Sequence, residues 1–288
     1  LETIMTDRTL TDPSDDAARR AYWRAQMDEA AAFMDKFMAY PVRECGEPMV
    51  SLVEAAGAAQ VEVAFSDRPF MPDVLRLFYL REGLVPAFLA AAREMNARGW
   101  VLKVEDGYRT LEMQRELGRQ ERIFTAILRK VCWECGEARP PIELLFRRLG
   151  ALVAIAPKVG THMSGSAMDV SVLSRDTGEE VDRGGPYLEM SERTPMASPF
   201  VSAQAAENRR AITDLMARHG FVTYPWEFWH YNAGDADAEV LRNAGRPARY
   251  GAVHLDPASG RVTPLADPTT RLHSESELRA LMEEALDA

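Results

Sequence analysis

Stretches with helical periodicity and short runs of strand composition follow one another along this chain at irregular intervals. The strict strand-helix alternation that builds a parallel sheet is missing. Residues 14–39 space Trp23, Met27, Ala30, Ala31, Met34, Phe37 and Met38 at three- and four-residue steps behind the capping residues of "DPSDD", and the pattern stops before Pro41. It reads as an amphipathic helix packed on the main body, with a dimerisation helix, and hence a homo-oligomer, as the alternative. Small apolar residues from Val50 and the alternating "QVEVAF" ending at Phe65 read as a strand. "VPAFLAAAREMNARG" reads as a helix closed by Gly99, and "WVLKVEDGYRT" as a strand entering a turn. A helical stretch runs from Arg109 to about Cys135, where "GEARPP" breaks it. "APKVGTHMSGSAMDVSVLS" is a glycine-punctuated loop feeding a strand, with "DTGEE" as its turn, and "SAQAAENRRAITDLMARHGF" is a helix stopped at Gly220. The order argues for an α+β fold, with a central, mainly antiparallel sheet flanked by helices.

With 288 residues, 47% of them hydrophobic, the chain can bury a full core. A net charge of −10 without a dense Lys/Arg cluster excludes the basic footprint that nucleic acid or an anionic membrane requires. No run is long and apolar enough to span a bilayer. The start lacks the basic and apolar regions of a signal peptide, although residue 1 is not Met and a removed leader stays open. Three cysteines make no disulfide framework, which points to a reducing compartment and a cytoplasmic location.

The chemistry gathers in three places. "YPWEFWHYN", residues 224–232, sets Glu227 and His230 among aromatic side chains, where an acid and an imidazole need partners. "GTHMSGSAMDV" carries His162 and Asp169, seven residues apart. Two imidazoles and one carboxylate are a normal ligand set for one catalytic zinc ion, which takes three protein ligands and keeps a fourth position for water. Glu227 is then free to act as general base and acid. On an unbroken strand Glu227 and His230 would face opposite ways, so this reading requires a bend near Pro225. In "VEDGYRT", Arg109 follows a turn made by Asp106 and Gly107, and a cation there can stabilise an oxyanion; a plain turn with a surface arginine is the alternative.

Taken in order, "DGYR", "HMSGSAMD" and "EFWHY" resemble the motifs of the D-alanyl-D-alanine dipeptidase family, the vancomycin-resistance-type zinc dipeptidases that share a fold group with lysostaphin-type peptidases and the Hedgehog signalling domain. "SRDTGEEV" and "AENRRAITDLMARHGF" extend the likeness to about residues 47–231. The resemblance implies that His162, Asp169 and His230 bind zinc, that Glu227 is the base and acid, and that Arg109 steadies the transition state. It also implies a small substrate peptide containing D-amino acids. A division follows into an N-terminal helical extension at 1–46, a catalytic domain at 47–232 and a C-terminal extension at 233–288.

Two positions depart from the family pattern. Gly160 stands where a serine is usual, and Leu188 where an aspartate is expected to hold the substrate's amino group. A one-residue shift would give that task to Glu189, with Tyr187 and Thr161 as further substrate-contacting candidates. Otherwise another D-amino-acid peptide, in wall recycling or a biosynthetic pathway, or an N-blocked one, becomes the substrate. A metal-binding protein without catalysis is the reading from a different class, and the presence of both Glu227 and Arg109 argues against it. The Cys132–Cys135 pair lacks the further ligands a structural zinc needs, and His219, His254 and His273 read as helix-end or solvated residues. Tyr108, Trp226 and Trp229 read as core, with a place on the substrate wall as the alternative.

Overall fold

The computed structural model describes residues 15–287. The opening segment read for a leader, with Pro13 and Ser14 of the helix-entry motif, lies outside the described residues. Helix α1 (Asp16–Ala39) is capped by the Asp15 carboxylate, which accepts from the backbone N–H groups of Ala17 (3.0 Å) and Ala18 (3.2 Å). Its buried stripe of Trp23, Met27, Ala30, Phe33 and Phe37 follows the spacing in the sequence.

Next come β1 (Met49–Ser51) and α2 (Leu52–Ala59). The segment expected to be a strand is therefore mostly helix: it is alanine-rich, the Ser51 hydroxyl caps it at the Glu54 N–H, and Leu52 and Ala56 turn inward. Only its first residues, in β1, and β2 (Val63–Phe65) keep the extended form. After β3 (Tyr79–Arg81) and α3 (Val85–Ala97), the left-handed Gly99 leads into β4 (Trp100–Asp106). The expected single helix after Arg109 divides into α4 (Leu111–Leu117), ended at Gly118, and α5 (Glu121–Cys135). Helix α6 (Ile142–Val153), β5 (Ala167–Ser174) and α7 (Ala203–Arg218) complete the middle of the chain. The last part holds β6 (Val222–Thr223), β7 (His230–Asn232), α8 (Ala236–Leu241), the hairpin strands β8 (Val253–Leu255) and β9 (Val262–Pro264), and α9 (Glu275–Asp287).

Five strands form the central sheet in the order β2-β4-β5-β7-β6, and only the β2–β4 pair is parallel. The α+β expectation holds. Strands alternate their side chains, so β5 sends Met168, Val170 and Val172 to one face and Asp169 and Ser171 to the other. The first face packs on α2, α3 and α7 through Leu52, Phe88, Ala92, Met95, Ile212 and Met216. A second core gathers α1, α4, α5, α6 and α9, with Tyr224 and Trp226 at its edge.

Buried polar bonds tie this second core together. Glu134 of α5 accepts from the Trp23 indole (3.1 Å) and from Arg148 Nε of α6 (2.8 Å), and the outer nitrogen of Arg148 reaches Asp28 of α1 at 2.8 Å. Three helices thus share one ion-pair network. The functional residues lie between this layer and the polar face of the sheet.

Candidate active site

Strand register makes the first part of the site. Asp106 of β4 pairs with Asp169 of β5, and Asp169 pairs with His230 of β7, so three polar residues stand in a row across the sheet. A bulge between Val104 and Asp106 brings Asp106 into that row. Gly107 follows, where a Cβ would stand 2.6 Å from the Leu77 carbonyl oxygen, so the chain can turn there only without a side chain. The turn delivers Arg109.

His162 comes from the short 3-10 turn Thr161–Ser164 ahead of β5. Gly165 ends that turn in the left-handed region (φ 67°), and a Cβ there would collide with Met49. The His162 Nε2 and His230 Nδ1 atoms lie 3.2 and 3.0 Å from the same oxygen of Asp169. Ligand atoms of these three buried residues all lie within 4.8 Å of one another, and among the described residues no other His/Cys/Asp/Glu group is so arranged.

Each imidazole is fixed by its other nitrogen. His162 Nδ1 lies 2.7 Å from the Gly107 carbonyl and therefore donates to it, which leaves Nε2 as a lone-pair donor toward the cluster. His230 Nε2 lies 2.9 Å from the Thr161 hydroxyl, which leaves Nδ1 on the cluster side. Burial pushes the His230 pKa down against the pull of Asp169, which favours the neutral ring that a metal ligand needs. Burial works against the Asp169 carboxylate, but the charges and hydrogen bonds of His162 and His230 hold it well below the usual range. The donor set and its orientation fit a zinc ion.

Glu227 lies on a turn and not in a ladder. Its N–H donates to the Tyr224 carbonyl (3.1 Å), and the His230 N–H donates back to the Glu227 carbonyl (3.2 Å), so β7 begins only at His230. The bend that the sequence reading required is present. Both residues line one cavity, and burial, followed by the charge of Asp169, pushes the Glu227 carboxyl well above its usual range.

The Arg109 guanidinium lines the same cavity. It donates from Nε to Asp106 (2.8 Å), from Nη1 to Gln114 (3.3 Å) and from Nη2 to Asp169 (3.2 Å), which leaves two of its N–H groups uncommitted. Burial disfavours its charge, yet Asp106 and Asp169 outweigh that and raise its pKa. The surface-arginine alternative does not apply, since Arg109 is buried.

Of the three substrate-contacting candidates, Thr161 lines the cavity, with its hydroxyl engaged by His230. The Tyr187 hydroxyl donates to Asp169 Oδ2 at 2.9 Å, and burial, then Asp169, holds its pKa well above 10.0. Glu189 is turned away: it pairs with Arg193 (2.8 Å) and the Ser191 hydroxyl, while Leu188, at φ 65°, takes the place on the cavity wall. Trp229 also lines the cavity, whereas Tyr108 and Trp226 are core. Cys132 and Cys135 are free thiols at the end of α5.

Sequence reasoning did not place Met34 and Phe37 of α1, Gln114 or Asp237 on the cavity wall. Gln114 carried no signal beyond helical spacing, and the α1 pair carried only core periodicity.

Comparison with known proteins shows what this part of the chain is similar to. The profile of the peptidase M15 family, described as D-Ala-D-Ala dipeptidase, matches residues 151–247, which include His162, Asp169, Glu227 and His230. The chain is 37% identical over 90 residues to the D-alanyl-D-alanine dipeptidase of Enterococcus faecium, across 31% of this chain and 41% of that enzyme. It is 26% identical over 223 residues to the Synechocystis sp. (strain ATCC 27184 / PCC 6803 / Kazusa) dipeptidase of that name, across 69% of this chain and 87% of the relative. Among solved structures, a zinc-bound glutamate-to-alanine variant of the D,D-pentapeptidase VanY aligns over 73% of this chain and 96% of its own, at 16% identity and a TM-score of 0.36. Met34, Phe37, Arg109 and Gln114 all lie outside the segment matched by the family profile.

Proposed function

We propose that this protein is a zinc-dependent dipeptidase that hydrolyses D-Ala-D-Ala or a closely related D-amino-acid dipeptide. The observation that carries the reading is the convergence of His162, Asp169, His230, Glu227 and Arg109 on one cavity. The matched family segment and the dipeptidase relatives supply the substrate class.

His162 through Nε2, Asp169 through a carboxylate oxygen and His230 through Nδ1 would hold the zinc ion. Bound there, zinc supplies Lewis acidity toward the attacking water and the scissile carbonyl. Glu227 takes the proton from the attacking water at its carboxylate and returns one to the departing amine nitrogen. A carboxyl group held above its usual range suits both transfers near neutral pH. Arg109 directs its uncommitted N–H groups to the carbonyl oxygen as that atom gains charge. Thr161 and Gly107 keep the two imidazoles in the required orientation.

A catalytically silent metal protein would need neither a buried acid nor a buried guanidinium beside its ligands. The three free cysteines support a reducing compartment, the cytoplasm, for this activity. Among the described residues no helix is long and apolar enough to cross a membrane.

The test is release of free D-alanine from D-Ala-D-Ala by the zinc-loaded protein, beside Glu227→Ala. Turnover that disappears in the variant is the expected result. A folded, metal-loaded protein that cleaves no D-amino-acid dipeptide overturns the reading.

A further inference from the structure

Asp237 is an acid without a charged counterpart. It sits in α8, 1% exposed, and neither carboxylate oxygen has a hydrogen-bond partner. The nearby Asn232 amide gives its close hydrogen bond to Asp235 (2.6 Å) and acts on Asp237 only as the last and weakest of the influences on that carboxyl. Among the described residues no Lys, Arg or His forms an ion pair with Asp237. Its neighbour Asp235 is fully used, capping α8 at the Ala238 N–H (2.9 Å) and accepting from Asn232 and Ser166. A buried, unpaired carboxyl is costly, and a native chain that keeps one has a partner for it elsewhere.

The cavity beside Asp237 points to that partner. It lines the cavity that holds Glu227, Arg109 and the ligand cluster, and its charge acts on both Glu227 and Tyr224. In a dipeptide the amino nitrogen is two bonds from the scissile carbonyl carbon, so a group that holds it must lie within about 6 Å of that carbon, from bond lengths and one hydrogen bond. Glu189 is committed to Arg193, and Leu188 offers the cavity only carbon.

We propose that Asp237 is a specificity-determining residue that receives a primary ammonium group of the substrate inside the cavity. The inference rests on the dipeptidase reading for its substrate class but stands on the orphaned carboxyl for its chemistry. Burial, followed by the charge of Asp235, holds that carboxyl well above its usual range in the free protein, as expected of an acid waiting for a cation. The ammonium belongs either to the free amino terminus of the peptide or to a basic side chain, and the two sources are separable by experiment.

Zinc-loaded wild type, Asp237→Asn and Asp237→Ala would be compared on D-Ala-D-Ala, N-acetyl-D-Ala-D-Ala and N-acetyl-D-Lys-D-Ala. With a terminal ammonium as the source, Asp237→Asn raises KM for D-Ala-D-Ala by about 10- to 100-fold, the size of a hydrogen bond to a charged group, with a much smaller change in kcat. N-acetyl-D-Ala-D-Ala is then poor for wild type and nearly indifferent to the substitution. If the lysine peptide alone shows the KM effect, the ammonium comes from a side chain. Equal losses on all three substrates, or no change on any, overturn the proposal. Binding of D-alaninamide and N-acetyl-D-alaninamide, followed by NMR titration, needs no turnover and separates this inference from the dipeptidase reading. Wild type should bind the free amine, Asp237→Asn should bind it at least tenfold more weakly, and neither should bind the acetylated form. Equal affinity of wild type and Asp237→Asn for the free amine sinks the assignment, and a thermal melt of each variant establishes that it is folded.

Discussion

The backbone N–H of His230 donates to the carbonyl of Glu227 at 3.2 Å, so one turn of chain holds the metal-ligand candidate and the acid-base candidate at a fixed separation. The turn removes the conflict between a three-residue spacing and an alternating strand, and it makes the two roles separable by mutation. Glu227→Gln should lower kcat on a D-amino-acid dipeptide by about 10²–10⁴-fold, the usual size of a general acid-base contribution. Zinc content and melting temperature should stay close to wild type. Retention of full kcat would remove Glu227 from the chemistry.

Arg109→Lys keeps the charge but loses the fork that reaches Asp106, Gln114 and Asp169 together. A fall in kcat of about 10²–10³-fold is expected, as for loss of one oxyanion donor, with KM moving less. A KM effect alone would assign Arg109 to ground-state binding.

Metal removal gives a third expectation. A chelator should abolish turnover and lower the melting temperature, because zinc binds the folded cluster and stabilises it by mass action. Thr161→Val removes the group that orients His230 through Nε2, and zinc affinity should fall about 10- to 100-fold, as is usual when such a supporting partner is lost. Competition with a chromophoric chelator measures this directly; unchanged affinity would show that Thr161 does not orient the ring.

Away from the site, Glu134→Ala leaves Arg148 buried without its main counter-ion and strips the Trp23 indole of its acceptor. Breaking a buried pair in this way costs about 3–5 kcal/mol, and denaturant unfolding should show a loss of that size. A change below about 1 kcal/mol would mean that water satisfies Arg148.

Acid titration tests the link between α1, α5 and the loop after Tyr187. Burial disfavours the charged Glu192 side chain, but Lys130 at 2.7 Å and Arg19 outweigh it, and its pKa lies below the usual 4.5. A depressed carboxylate stabilises the fold above its unfolded pKa, and that stability is lost as pH falls through the folded value. The melting-temperature gap between wild type and Glu192→Gln should therefore be full at neutral pH and close below about pH 4.5. A gap independent of pH would remove the ionic explanation.

The candidate site was legible because its pieces are local in sequence. His162 and Asp169 share one turn-strand unit, Glu227 and His230 share another, and strand register joins the two. Long amphipathic segments such as α1 and α7 were legible from periodicity. Helix α6 was not expected: "IELLFRRLGALV" carries a clear apolar face with Glu143 and Arg147 on its outer side, but it opens directly behind the proline pair of "GEARPP", which reads as a loop. Asp237 was hidden in "DADAEV", a stretch whose composition suggests a turn, and only the fold shows that this acid is buried. The placement of Glu189 also depended on tertiary structure, since Arg193 takes it out of the cavity.

Met34 and Phe37 bring α1 to the wall of the cavity, more than a hundred residues ahead of the segment that carries the ligands. Part of the surface that a substrate side chain would meet is therefore encoded far along the chain from the metal-ligand candidates. Two proteins could keep the same catalytic segment and diverge in diet through this one helix.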